Sequence, residues 1–173
     1  KNGKQEGLMT GWYESGEKEL EAHYKNGKPE GLATIWFESG EKKSEVHFKN
    51  GELEVIKEYW DKGKLKSETP YKNEKIEGLQ TNWYESGNKK SEVPYKKGKE
   101  DGLKTDWYES GGKKYETPYK NGKEGKLRTS WYESGKKKQD IHYTNGTKEG
   151  LKTGWYESGK KQSEVPFKNG KED

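Results

Sequence analysis

Apolar and polar side chains alternate over short stretches of the chain, and turn residues interrupt them every 8 to 12 positions. In Leu79-Gln80-Thr81-Asn82-Trp83-Tyr84, Leu, Thr and Trp fall on every second position, the period of a half-buried strand. Glu85-Ser86-Gly87 then supplies a turn with a glycine where a positive φ is wanted. Ser91-Glu92-Val93-Pro94-Tyr95 alternates again. Asn-Gly follows such strands at Asn26-Gly27, Asn121-Gly122 and Asn169-Gly170, a dipeptide suited to tight hairpins. No 3.6-residue period survives these interruptions, so helices are not expected.

The same block returns along the whole chain. The first slot of each Trp-Tyr-Glu-Ser-Gly block lies at 12, 36, 59, 83, 107, 131 and 155. The spacing is 24 residues except for one step of 23, so residues 1–173 read as one tandem array of seven units. The unit around 51–74 is degenerate: Tyr59-Trp60 replaces Trp-Tyr, and Glu54 stands in a glycine slot. Glu74 replaces the glycine of an Asn-Gly pair, and Lys126 takes a glycine slot after Gly125. Turn geometry is expected to depart from the pattern at 51–58, 73–77 and 124–126.

Two strands per unit predict an all-β fold, an elongated single ribbon of antiparallel hairpins with about 14 short strands. Pro70, Pro94, Pro118 and Pro166 share one slot with His23, His47 and His142. Proline cannot donate to a ladder, so pairing between hairpins is expected to be incomplete there. One face is expected to gather Leu, Thr and Trp from first strands with Ser, Val and Tyr from second strands. That places Trp12, Trp36, Trp83, Trp107, Trp131 and Trp155 in one aromatic ladder with Tyr24, Phe48, Tyr71, Tyr95, Tyr119, Tyr143 and Phe167. The second aromatic slot, Tyr13, Phe37, Trp60, Tyr84, Tyr108, Tyr132 and Tyr156, points away from it. It reads either as an exposed recognition stripe or as rings folded over neighbouring backbone.

Composition sharpens this picture. Only 24% of residues are hydrophobic, 38% are charged and mean hydropathy is −1.58. Seven Trp, twelve Tyr and three Phe make up much of the apolar content, so aromatic contacts must replace an aliphatic interior. Lys and Arg number 35 against 31 Asp and Glu, a net charge of +4, which offers no basic stripe for nucleic acid. No apolar run reaches the roughly 20 residues of a membrane-spanning helix. Cysteine is absent, so there is no disulfide framework or thiolate site. No signal peptide or initiator Met is present, and the chain opens inside a motif that recurs later. A fragment or mature chain is therefore expected, with bacterial cytoplasm and cell surface both open as compartments.

Candidate chemistry is thin. Glu21, Glu45, Glu68, Glu92, Glu116, Asp140 and Glu164 form a regular carboxylate column, but nothing in a repeat distinguishes an acid from a base. His23 and His47 fall in equivalent slots about 10 Å apart, too far to share one zinc ion. Pairs such as Lys42-Lys43, Lys89-Lys90 and Lys113-Lys114 alternate with Glu and read as solubilising charge. We expect no catalytic residues, no metal ligands and no cofactor.

Tyr-Glu-Ser-Gly-x-Lys-Lys-Ser-Glu followed by Tyr-Lys-Asn-Gly-Lys-x-Glu-Gly, as at 84–92 with 95–102, resembles the bacterial variant of the MORN repeat. It is similar to the type found in YwqK-family antitoxin-like proteins. The resemblance implies a ribbon of β-hairpins and a role in protein or membrane-proximal interaction without catalysis. Met9-Thr10-Gly11-Trp12-Tyr13 also resembles the choline-binding repeat, whose unit is nearer 20 residues. The expected function is a non-catalytic module for protein–protein interaction, antitoxin-like or a scaffold. The alternatives are a cell-surface carbohydrate- or choline-binding adhesin and, behind it, membrane-lipid attachment. A protein partner is expected and nucleic acid is not. Glycan or membrane contact and end-to-end self-association remain open.

Overall fold

The computed structural model describes residues 3–173. Every regular element among them is a strand. The chain divides into two compact units, residues up to Gly87 and residues Asn88–Asp173. The first holds β1 (Gly7–Trp12), β2 (Lys18–Lys25), β3 (Lys28–Pro29), β4 (Gly31–Trp36), β5 (Lys42–Lys49), β6 (Glu52–Tyr59), β7 (Leu65–Lys72), β8 (Lys75–Ile76) and β9 (Gly78–Trp83). The second holds β10 (Lys89–Lys96), β11 (Lys99–Glu100), β12 (Gly102–Trp107), β13 (Lys113–Lys120), β14 (Lys123–Glu124), β15 (Leu127–Trp131), β16 (Lys137–Thr144), β17 (Thr147–Trp155), β18 (Lys161–Lys168) and β19 (Lys171–Glu172). Fourteen of these are the expected strands; the other five are two-residue strands that fold back after the Asn-Gly turns or their counterparts Asn73-Glu74 and Lys97-Gly98.

Each unit is an antiparallel meander. Within a hairpin the pairing is long: β12 and β13 match from Gly102↔Tyr119 to Trp107↔Lys113. Between hairpins it shrinks to two pairs at four joints, such as Leu20↔Ile35 and Glu21↔Thr34, whereas β5–β6 and β16–β17, at His47 and His142, stay paired along most of their length. The proline slot marks the gap. Its carbonyl is used, as where Asp101 N–H donates to Pro94 O at 2.9 Å, while the ring needs no acceptor.

Turn chemistry explains the hairpins. Asn26 and Gly27 have φ of 54° and 78°, the double positive φ of a primed turn. The departures expected at the irregular units are smaller than the substitutions suggested. Asn73 and Glu74 keep the turn at 51° and 60°, although a left-handed Glu costs roughly 1–2 kcal/mol. In the third unit Glu54 does not adopt the positive φ of Gly31 or Gly78, and β6 runs through as one strand. A bulge at His47/Phe48 absorbs the irregularity.

The face assignment needs correction. Leu103 lies opposite Pro118 and Thr105 opposite Glu116, so these share one face, the Leu face. Lys104 opposes Thr117, Asp106 opposes Tyr115 and Gly102 opposes Tyr119, which puts the Ser, Val and Tyr slots on the other face. A one-residue difference in register exchanges the faces completely. The Trp and Tyr/Phe columns therefore do not interleave in one ladder. The core lies under the Tyr/Phe column: Ala22, Ala33, Val93, Ile141, Tyr143 and Phe167 are its buried apolar residues. Ser67, Thr69, Ser91, Thr117 and Ser130 are buried on the same face, so the interior is thin and half polar.

Candidate functional site

The Leu face carries three parallel rows. The middle one alternates Thr and acid in straight register. In the first unit Thr10, Glu21, Thr34, Glu45, Lys57, Glu68 and Thr81 pair in turn. In the second, Glu92, Thr105, Glu116, Thr129, Asp140, Thr153 and Glu164 do so. Acids at every other strand would repel one another if left alone. Each is instead tied to a lysine, as in Lys18–Glu21 at 2.6 Å, Lys113–Glu116 at 2.5 Å and Lys137–Asp140 at 2.9 Å.

A bulge beside the first-slot residue makes this geometry possible. Between Asp106 and Trp107 the register skips Lys114, so Lys113 turns onto the Leu face and Lys114 onto the core face. Lys113 then lies 6.0 Å from the Trp131 ring centre while holding Glu116. Lys18 over Trp36 and Lys137 over Trp155 repeat the arrangement at 5.1 and 5.4 Å. Cation–π and ion-pair contacts thus converge on one ammonium group. Trp12, which has no lysine over its ring among the described residues, is 60% exposed.

The second-slot rings do not form an exposed stripe. Tyr13 O–H donates to Trp36 O at 2.7 Å, Tyr108 to Trp131 O at 2.9 Å and Tyr132 to Trp155 O at 2.8 Å. Lys43 lies over Phe37 and Lys66 over Trp60. Tyr84 is half-buried, and only Tyr156, at 51%, is exposed. Tyr13, Tyr108 and Tyr132 fold over neighbouring backbone because their hydroxyls reach the next repeat's Trp carbonyl.

In the third unit Tyr59 replaces that tryptophan and donates to Glu45 Oε2 at 2.6 Å, while Lys42 holds Oε1 at 2.5 Å. The Lys42 and Tyr59 hydrogen bonds hold Glu45 below the usual carboxylate range. Burial, reinforced by Glu45, pushes the Tyr59 hydroxyl up to about 12. Burial and the charges of Glu100 and Glu124 likewise put Tyr119 at about 12. Both tyrosines contribute stability that is fully present below pH about 10, where unfolded tyrosine begins to ionise, and that is lost as pH rises towards 12. Urea midpoints followed by Trp fluorescence should fall across that window, and Tyr59→Phe should make the fall shallower. An unchanged slope in Tyr59→Phe would refute the coupling.

The third row was not anticipated. Leu8, Leu32, Leu79, Leu103, Leu127 and Leu151 are 36–54% exposed. Leu8 stands opposite His23, Leu32 opposite His47, Leu103 opposite Pro118 and Leu151 opposite Pro166. The row is therefore bordered by proline and histidine, with the Thr–acid row beside it. The missing signal was the parity of the hairpin register. His142 Nδ1 sits 2.7 Å from Leu151 O, and the histidines are spread along the row. Among the described residues no group of three or more His, Cys, Asp or Glu is placed to hold a metal ion, and no helix is long and apolar enough to cross a membrane.

A comparison with curated proteins returns no match. Against protein families, residues 5–26, 29–50, 55–73, 76–97, 100–121, 124–145 and 148–169 each match the MORN repeat variant. Those segments take in both the regular units and the irregular third one, and on that ground the chain belongs to the MORN repeat variant family.

Proposed function

We propose that this chain is a non-catalytic protein-interaction module that docks its partner on the Leu face. MORN repeats are generally protein- or membrane-interaction modules. The exposed leucine row carries the reading. A chain with 24% hydrophobic residues gains nothing in stability by leaving six leucines partly in water, and the three exposed leucines on each compact unit form an apolar row of the kind that marks an interaction surface. The adjoining carboxylates are matched by lysines, so the row adds no net positive charge to hold an anionic lipid surface, which favours a protein partner. Most of the acids are committed to a lysine three residues before them in repeat after repeat, which supports the reading without catalysis.

The choline-binding alternative fares worse. A quaternary ammonium group needs open aromatic faces. Lysines already lie over Trp36, Trp107, Trp131 and Trp155 at 5.1–6.0 Å. Within the protein-binding class, the narrower antitoxin-like reading makes a toxin encoded beside this chain the first partner to test.

Leu103→Ser with Leu127→Ser should cost less than about 1 kcal/mol of stability, since both side chains are exposed. The same pair should weaken association with that partner about tenfold or more in calorimetric titration. Choline should produce no saturable quenching of Trp fluorescence. Unchanged binding by the double variant, or saturable quenching by choline, would defeat the proposal.

A further inference from the structure

Three Asn-Gly turns lean on the segment that precedes their hairpin: Lys4-Gln5-Glu6, Lys99-Glu100-Asp101 and Thr147-Lys148-Glu149. Asn26 N–H donates to Glu6 Oε1 at 2.7 Å and Gly27 N–H to Gln5 O at 2.9 Å. Asn121 N–H donates to Asp101 Oδ2 at 3.2 Å and Gly122 N–H to Glu100 O at 2.8 Å. Asn169 N–H donates to Glu149 Oε2 at 2.8 Å and Gly170 N–H to Lys148 O at 3.0 Å. In all three, a carboxylate caps the asparagine amide and a backbone carbonyl caps the glycine amide.

The Asn145-Gly146 turn has the same backbone, with φ of 54° and 84°, and lacks that cap. Gly125 occupies the slot of Glu6, Asp101 and Glu149. Neither the Asn145 nor the Gly146 N–H has an acceptor among the described residues. A cavity of about 450 Å³ opens there, lined by Lys120, Lys123, Lys126, Tyr143 and Asn145. Its one carboxylate, Glu124, is engaged by Arg128 at 3.8 Å and by the Tyr119 hydroxyl at 3.5 Å. Lys120 is held by Asp101 at 3.0 Å. Lys123 and Lys126 have no acid within 4.0 Å among the described residues. The site thus offers the Asn145 amide as a donor and two uncommitted ammonium groups.

We propose that this cavity binds a side-chain carboxylate from an acidic segment of a protein partner. The proposal rests on the protein-interaction reading and names the partner's chemistry. An inserted Glu or Asp would supply from outside what Glu6, Asp101 and Glu149 supply from inside, which favours carboxylate over phosphate. The charge distribution agrees. Residues 88–173 hold 21 Lys and Arg against 14 Asp and Glu, whereas residues 1–87 hold 14 against 17. Positive potential around the cavity steers an acidic segment towards it. The comparable cavity beside Asn73 is lined by Glu52 and Glu54 as well as Lys49 and Lys72, so it carries carboxylates of its own.

The test is an amide-resolved NMR titration of the ¹⁵N-labelled full chain with an end-blocked tetraglutamate peptide at constant ionic strength. Asn145 and Gly146 resonances should shift saturably, while those of Asn121, Gly122, Asn169 and Gly170 stay in place. Gly125→Asp restores an internal cap and should weaken the response about tenfold. A Cβ at 125 meets Pro118 atoms at 3.2 Å, so Lys126→Gln, an exposed change, is the second variant and should weaken binding severalfold. Equal shifts at all three turns, no saturation, or an unaltered titration in both variants would overturn the proposal. Saturation by inorganic phosphate below the peptide concentration required would overturn the choice of carboxylate. The Leu103→Ser, Leu127→Ser pair should leave this titration unchanged, so the two readings fail separately.

Discussion

Ile141→Ala should destabilise residues 88–173 by about 2–4 kcal/mol in urea unfolding followed by far-UV dichroism. Ile141 is 6% exposed on the core face, in register with Arg128 on one side and Lys152 on the other. Its strand neighbours in that row are cationic, so no aliphatic side chain stands directly beside it to fill the space left by the truncation. The cavity term should therefore add fully to the lost transfer free energy. Val165→Ala, in the same row but half-buried, should cost about 1 kcal/mol. A loss below 1 kcal/mol for Ile141→Ala would mean that the core does not lie under the Tyr/Phe column.

Gly102→Ala should cost about 2–4 kcal/mol, combining backbone strain with overpacking. Gly102 has a φ of +135°, and a Cβ there would sit 2.8 and 2.9 Å from Pro94 Cγ and Cβ. The proline ring cannot rotate away, because its slot sits at the break between hairpins and its carbonyl receives the Asp101 amide. Gly16→Ala isolates the strain: φ is +92° and nothing lies within 4 Å, so about 1 kcal/mol is expected. Repeating Gly102→Ala in a Pro94→Ala background should recover the steric part, and full additivity of the two changes would argue against the contact.

Much of the architecture was legible because it depends on neighbours in sequence. Alternation located the strands, and Asn-Gly and Ser-Gly located the turns. The proline slot correctly implied broken pairing between hairpins. The two-residue strands escaped notice because Lys28–Pro29 or Lys99–Glu100 is too short to show a period. The second-slot rings had two readings, and contact decided between them: Tyr13, Tyr108 and Tyr132 spend their hydroxyls on the next unit's backbone. Gly125 and Lys126 were visible as departures, but their consequence needed the turn they fail to cap.

The Leu face shows most clearly where local reasoning stops. Leu103, Thr105 and Trp107 do share a side of their strand, as period two requires. Which second-strand residues join them depends on how many residues the turn and the bulge consume, and one residue changes the answer for the whole hairpin. The amino-acid sequence alone determined the seven units, their strands and their turns, since each follows from φ preferences and side-chain alternation within a few residues. The tertiary structure alone decided which columns are buried, which leucines meet water and where a carboxylate is missing, because those are relations across strands that no single strand encodes.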